Sequence, residues 1–282
     1  MGQLSLLEVD RLEIPGATDE DHAARLAQRV IDDLGLFPPI DHQVVASYQG
    51  IGEIRLAESD GWSGCLVKEV SGLVIYLRAS DGRRRQRFTT FHETGHTFLP
   101  GFTVRPRFRC NPTVGGAKTK EERLSNVAAS ELLFPRPFFS ADLQDGQFGL
   151  DTIEDLTLKY DASLEATAHR FVALSPDDCL LVVLEPMLKP ADSADASAGP
   201  RLRVVYSAHR GRWPYVPRYK SAASRSKLCS ALEGEIVDAR AEGLDGLVPE
   251  FSAPVELSAR LMPYHDSEGL EHRRVLALYR RL

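Results

Sequence analysis

Cysteine is scarce in this chain and never paired along the sequence. Cys65, Cys110, Cys179 and Cys229 are the only four, far apart and without a C-x-x-C spacing. That argues against a disulfide framework or a cysteine-type zinc module and points to a reducing cytoplasm. No apolar run approaches the roughly 18 residues that span a bilayer, so no membrane partner is expected. The opening MGQLSLLEVDRLEIPG has no basic stretch before an apolar core, so a secretory leader is not expected either. There is no internal repeat.

What is present is ordinary globular composition. The 282 residues are 43% hydrophobic and 26% charged, enough for two domains. The net charge of -6 is uneven: residues 201–282 hold 14 Lys/Arg against 10 Asp/Glu, so the acidic excess lies before them. This asymmetry fits different partners for the two halves and does not by itself imply nucleic acid.

Apolar periodicity predicts a helix over DEDHAARLAQRVIDDLGL, with Ala23, Leu26, Ala27, Val30 and Leu34 on one face, Thr18 as cap and Gly35 as stop. PPIDHQVVASYQGI reads as a short, proline-started helix closed by Gly50. Strands are expected in IGEIRLAES, in CLVKEV and in LVIYLRAS, residues 73–80. The turn DGRRR leads into a helix from Phe88 to Phe98, and residues 102–119 read as a loop. A helix follows in KTKEERLSNVAASELLFP, then a pair in TIEDLTLKYD and SLEATAHRFVAL. Their helix-turn-helix look is weak evidence for DNA binding, because helix pairs usually just pack. From Asp177 the texture is strand-rich: CLLVVLEP, RLRVVYSA, PVELSARLMPY and RRVLALYRRL, with a helix near SKLCSALEGEI and a flexible link in KPADSADASAGP.

The chemistry concentrates in FHETGHTFLPG, residues 91–101. On a helix, residues four apart share a face, so His92 and His96 can present two ring nitrogens to one metal ion. Glu93 follows the first histidine at the edge of that face, where a carboxylate can take a proton from water and return it to a leaving amine. The bland alternative is a helix that carries two buried or solvated histidines. A catalytic zinc needs a third protein ligand. Leu99 and Phe102 occupy the positions where H-E-x-x-H-x-x-G-x-x-H would need Gly and His, so the ligand must come from elsewhere. Glu121 and Glu122 in EERLSN are the candidates, and spacing alone leaves both open, though Glu122 and Asn126 share a face. For an oxyanion partner His169, Tyr160 and Arg87 are available, and Cys65 could cap a metal or simply fill a core.

These stretches resemble the ImmA/IrrE metallopeptidases. RQRFTTFHETGH is similar to the family's lead into its HExxH helix, EERLSNVAASELLFP to its second helix, and KYDASLEATAHRFVAL to a downstream one. With LFPPIDHQVVASYQGI, the resemblance covers about residues 20–175. It implies His92, His96 and Glu122 as metal ligands and Glu93 as general base, with Asn126 in support. Ala128 and His169 depart from the family's usual Phe and Arg. The fold implied is α+β: a mainly helical zincin-like metallopeptidase domain with a small sheet (residues 15–138), a helical segment (139–176), and a strand-rich, GAF-like C-terminal domain (177–282). The activity implied is a zinc-dependent endopeptidase that cleaves a helix-turn-helix transcriptional repressor and so derepresses genes. Manganese can replace zinc in such a nitrogen and oxygen site. The competing reading is a metal-binding transcriptional regulator or interaction protein without peptidase activity.

Two further expectations concern partners. LVIYL, residues 73–77, could be an edge strand that pairs with substrate backbone, with a plain core strand as the equal alternative. HRGRWPYVPRYKSAASRSK, residues 209–227, has six Lys/Arg, three aromatics and no acid. Such interleaving can bind nucleic acid or an acidic partner, and a solvated loop with packed aromatics is the favoured alternative.

Overall fold

The computed structural model describes residues 5–100, 107–110, 119–190, 199–265 and 271–282. The chain divides into two compact units, one of Met1–Phe139 with Thr157–Ser163, the other of Ser140–Leu156 with Leu164–Leu282.

The first unit begins with α1 (Leu6–Glu13), which sequence reading did not anticipate, and α2 (Asp19–Leu34). Both start on a full capping box, Ser5 with Glu8 and Thr18 with Asp21, and α2 stops where Gly35 turns left-handed. They are joined by Asp10, which is fully buried. Its carboxylate lies 2.6 Å from His22 Nδ1 and accepts from Arg25 Nη2 at 2.7 Å. α3 (His42–Tyr48) is capped by Asp41 rather than started by a proline.

A four-stranded sheet follows, from β1 (Ile51–Ala57), β2 (Trp62–Glu69), β3 (Gly72–Arg78) and β4 (Arg107–Cys110), in the order β1-β3-β2-β4. β1 and β3 run parallel, and the other pairs are antiparallel. The LVIYL strand is therefore β3, interior to the sheet, and the edge-strand expectation fails. Val74, Ile75 and Leu77 are all buried, which explains the near-continuous apolar run. β4 lies inside the stretch read as a loop.

α4 (Arg83–Gly95) carries the histidines and tightens into a 3-10 turn at His96–Phe98. It starts a full turn before the expected Phe88, because its three arginines find acids. Arg83 reaches Asp161 at 2.6 Å and Arg85 reaches Asp81 at 3.2 Å, offsetting the poor fit of cations at a helix N-terminus. α5 (Lys120–Leu133) packs against both α2 and α4. α6 (Arg136–Asp145), α7 (Leu150–Tyr160) and α8 (Leu164–Leu174) follow, with α8 in the second unit.

The second unit is built on a five-stranded antiparallel sheet ordered β6-β5-β9-β8-β7. Its strands are β5 (Cys179–Met187), β6 (Arg201–Arg210), β7 (Val237–Glu242), β8 (Pro254–His265) and β9 (Glu271–Arg281), with α9 (Lys227–Leu232) after β6. Leu180, Val182, Leu257, Val275 and Tyr279 project from one face into a core closed by Leu228 and Ala231 of α9. The chain is thus α+β as expected: helices with a small sheet, then a strand-rich unit. Among the described residues no helix is long and apolar enough to cross a membrane.

Burial works to raise the Asp10 pKa, but the His22 and Arg25 contacts outweigh it and hold the carboxyl below its ordinary value. This lock therefore stabilises the fold above the ordinary aspartate value of about 4 and fades as pH falls through the depressed one. Asp10→Asn is expected to lower stability by about 2 kcal/mol at neutral pH. In urea titrations the gap to wild type should narrow in acid, and a gap independent of pH would exclude the lock.

Candidate metal centre

Residues 89–96 of the α4 helix and its 3-10 turn are all buried, although most are polar. The threonines satisfy themselves locally: Thr90 Oγ1 donates to Gln86 O at 3.0 Å, and Thr94 Oγ1 donates to Thr90 O at 2.8 Å. Arg87 is also buried and spends its guanidinium on the carbonyls of Ile40, Tyr160 and Asp161. What the helix offers to chemistry is then His92, Glu93 and His96.

Both histidines turn Nε2 toward Glu122, at 3.2 Å from His92 to Oε2 and 3.4 Å from His96 to Oε1. One ligand atom from each of the three residues lies within 4.8 Å of the others, a grouping that could hold a metal ion. The opposite ring nitrogens are tied down. His92 Nδ1 donates to Asn126 Oδ1 at 3.1 Å, and His96 Nδ1 sits 2.9 Å from Ser125 Oγ. Tethering Nδ1 aims the Nε2 lone pair at the cluster, the orientation that metal-binding histidines take. Two imidazoles and a carboxylate, with the rings held from behind, fit a borderline divalent ion such as zinc.

Glu122 reaches the cluster through a broken symmetry at the start of α5. Thr119-x-x-Glu122 has the capping-box pattern, and Thr119 Oγ1 accepts from Glu122 N at 3.2 Å. The Glu122 carboxylate turns to the histidines instead of closing the box on Thr119. Burial works to raise its pKa, but both histidines outweigh that and hold it far below the ordinary carboxylate range. Glu121, left open by spacing, is outside the group. Ser125 was missed in the sequence, yet it lies three residues past Glu122, on the face that Asn126 also shares.

Two glycines set the distances. A Cβ on Gly95 would stand 3.1 Å from both Ala128 Cβ and Ser125 O, so the absence of a side chain there lets α4 and α5 approach. A Cβ on Gly64 of β2 would stand 2.3 Å from Thr89 Cγ2 and 3.1 Å from Glu93 Oε1, so the strand lies directly over the Glu93 carboxyl. Next to it, burial and the Glu93 charge push the Cys65 thiol up to about 12, so this residue is a neutral core thiol. Of the oxyanion candidates, Arg87 is committed to carbonyls, Tyr160 packs between Phe134 and Phe139, and His169 stacks on Tyr206 in the second unit.

Residues 46–172 match the family model for peptidase M78, the IrrE N-terminal-like domain. No curated protein matches. Among solved structures, a Mycobacterium tuberculosis transcriptional regulator aligns with a TM-score of 0.57 at 12% identity, covering 93% of this chain and 76% of that one. That likeness concerns the fold.

Gly95→Val is expected to weaken divalent-metal affinity by about 5- to 150-fold, through roughly 1–3 kcal/mol of overpacking between the helices. Asn126→Ala should cost roughly 10–100-fold by freeing the His92 ring. Chelator competition followed by elemental analysis reads both, and undiminished affinity in the two variants would refute the proposed positioning.

Proposed function

We propose, on the match of residues 46–172 to the IrrE N-terminal-like peptidase family model, that this chain is a zinc-dependent endopeptidase acting on a specific protein, a helix-turn-helix transcriptional repressor. The observation that carries this reading is the buried Glu93 beside a His92, His96 and Glu122 cluster whose imidazoles are oriented from behind. His92, His96 and Glu122 would hold the ion, with manganese as a possible substitute. Zinc bound there supplies a Lewis acid that acidifies water and polarises a peptide carbonyl.

The remaining work falls to the chain itself. Glu93 takes the proton of the attacking water on its carboxylate and passes it to the leaving amine. The Asn126 carbonyl oxygen accepts from His92 Nδ1 and keeps that ring in the tautomer that leaves Nε2 unprotonated, and Ser125 holds the His96 ring in orientation. Gly64 and the neutral Cys65 wall the carboxylate off from solvent on the β2 side, which keeps its proton transfer directed to substrate. An extended substrate segment adds to the sheet at β4, which ends the order on the β2 side among the described residues.

A second reading, a metal-dependent regulator without peptidase activity, draws on the fold shared with the transcriptional regulator over 93% of the chain. Co-expression with a neighbouring repressor separates the two. Wild type should cleave it, and Glu93→Gln should abolish cleavage by at least about 100-fold while retaining its metal. An immunoblot reads the cleavage and elemental analysis the metal. Cleavage that survives Glu93→Gln would sink the peptidase reading, and DNA binding independent of metal would favour the regulator.

A further inference from the structure

The second unit contains a cleft that peptide cleavage leaves unused. It encloses about 450 Å³ beside the edge strand β6 and residues 217–223, a volume typical of small-molecule sites. Lys189, Arg201, Arg203, Arg218 and Lys220 line it, and no described lining residue is acidic. Three arginines elsewhere in this unit are neutralised: Arg260, Arg274 and Arg280 each meet at least two carboxylates. Among the described residues, Lys189, Arg201, Arg218 and Lys220 have no such partner. Like charges gathered on a concave wall raise the local potential, and an anion bound between them relieves their repulsion.

The wall is also fixed in place. Arg203 is buried and donates to Met187 O at 3.1 Å, Tyr219 O at 3.1 Å and Ser221 Oγ at 2.8 Å. Tyr219 has a φ of 65°, an uncommon left-handed backbone for a bulky residue. It is held there by N–H donation to Val204 O at 2.8 Å, while Val204 N donates to Lys220 O at 2.9 Å. Strained backbone of this kind persists where its surroundings over-determine it, and it clusters at ligand clamps. Here it sets Arg218 and Lys220 on either side of the pinned Tyr219.

We propose that this cleft binds the phosphate or pyrophosphate group of a small metabolite. Guanidinium forks grip phosphate oxygens in pairs, and lysines add point charge. Several cations match a multiply charged anion, whereas a single carboxylate would leave most of them uncompensated. The basic segment 209–227 then has a division of labour. Trp213 packs on Phe251 against the core, and Arg218 and Lys220 serve the cleft.

The test is calorimetric titration of the full chain with pyrophosphate at low and high salt. One-to-one binding that weakens with salt is expected. Arg201→Gln and Arg218→Gln, both at exposed positions, should each weaken it at least about tenfold. Arg212→Gln and Arg225→Gln, exposed cations outside the lining, should leave it unchanged. Circular dichroism confirms that each variant is folded. The proposal is overturned by the absence of binding to folded wild type, by equal losses in the control variants, or by citrate binding as tightly as pyrophosphate. A single-stranded oligonucleotide that displaces pyrophosphate with higher affinity would likewise overturn it, in favour of a nucleic-acid surface.

Discussion

Gly95 and Ala128 let two helices lie so close that a methyl group at position 95 would press on both Ala128 and the Ser125 carbonyl. The rest of the site depends on that approach. His92 and His96 belong to one helical stretch, and Glu122, Ser125 and Asn126 belong to the other. Three ligand atoms within 4.8 Å and two tethered ring nitrogens follow only if the helix surfaces touch. Small residues at a helix crossing are usually about packing. Here they also determine whether a cation has a complete set of donors.

The same closeness makes the site expensive to bury. Two imidazoles and the Glu93 carboxylate leave water together, with Glu122 half-buried beside them, and an unpaired charge in such a place costs several kcal/mol. The structure offsets this in stages. Threonine hydroxyls bond back along α4, Asn126 and Ser125 take up the outer ring nitrogens, and Glu122 keeps one side toward solvent. A bound cation would complete the compensation by turning mutual repulsion of the carboxylates into shared attraction. The neutral Cys65 adds no further charge to this crowded volume.

The second unit solves a different problem. Its antiparallel sheet buries one face under α9 and the turns around it, and three of its arginines, Arg260, Arg274 and Arg280, are tied to acids across neighbouring elements. The cations beside β6 differ in being gathered along one cleft. Their arrangement rests on Arg203 and the left-handed Tyr219, a local constraint unrelated to the metal cluster. The chain thus carries two chemically opposite sites, one built to hold a cation and one suited to an anion.

Much of the molecule was legible in its residues. Helical spacing placed His92, Glu93 and His96 on one face, caps such as Thr18 and Gly35 marked helix ends, and apolar runs located four of the five strands of the second unit, all but β7, because these signals are local. Short elements with weak periodicity, β4 and α1 among them, escaped for the same reason. Strand order is not local: LVIYL reads alike at an edge or in a centre, and only pairing with β1 and β2 buried it. Nor could spacing choose Glu122 over Glu121, since both stand in the same charged first turn. The sequence by itself determined which chemistry was available. Tertiary packing decided which groups meet, because the phase of α5 against α4 and the turn of the 217–223 segment depend on contacts between residues far apart in the chain.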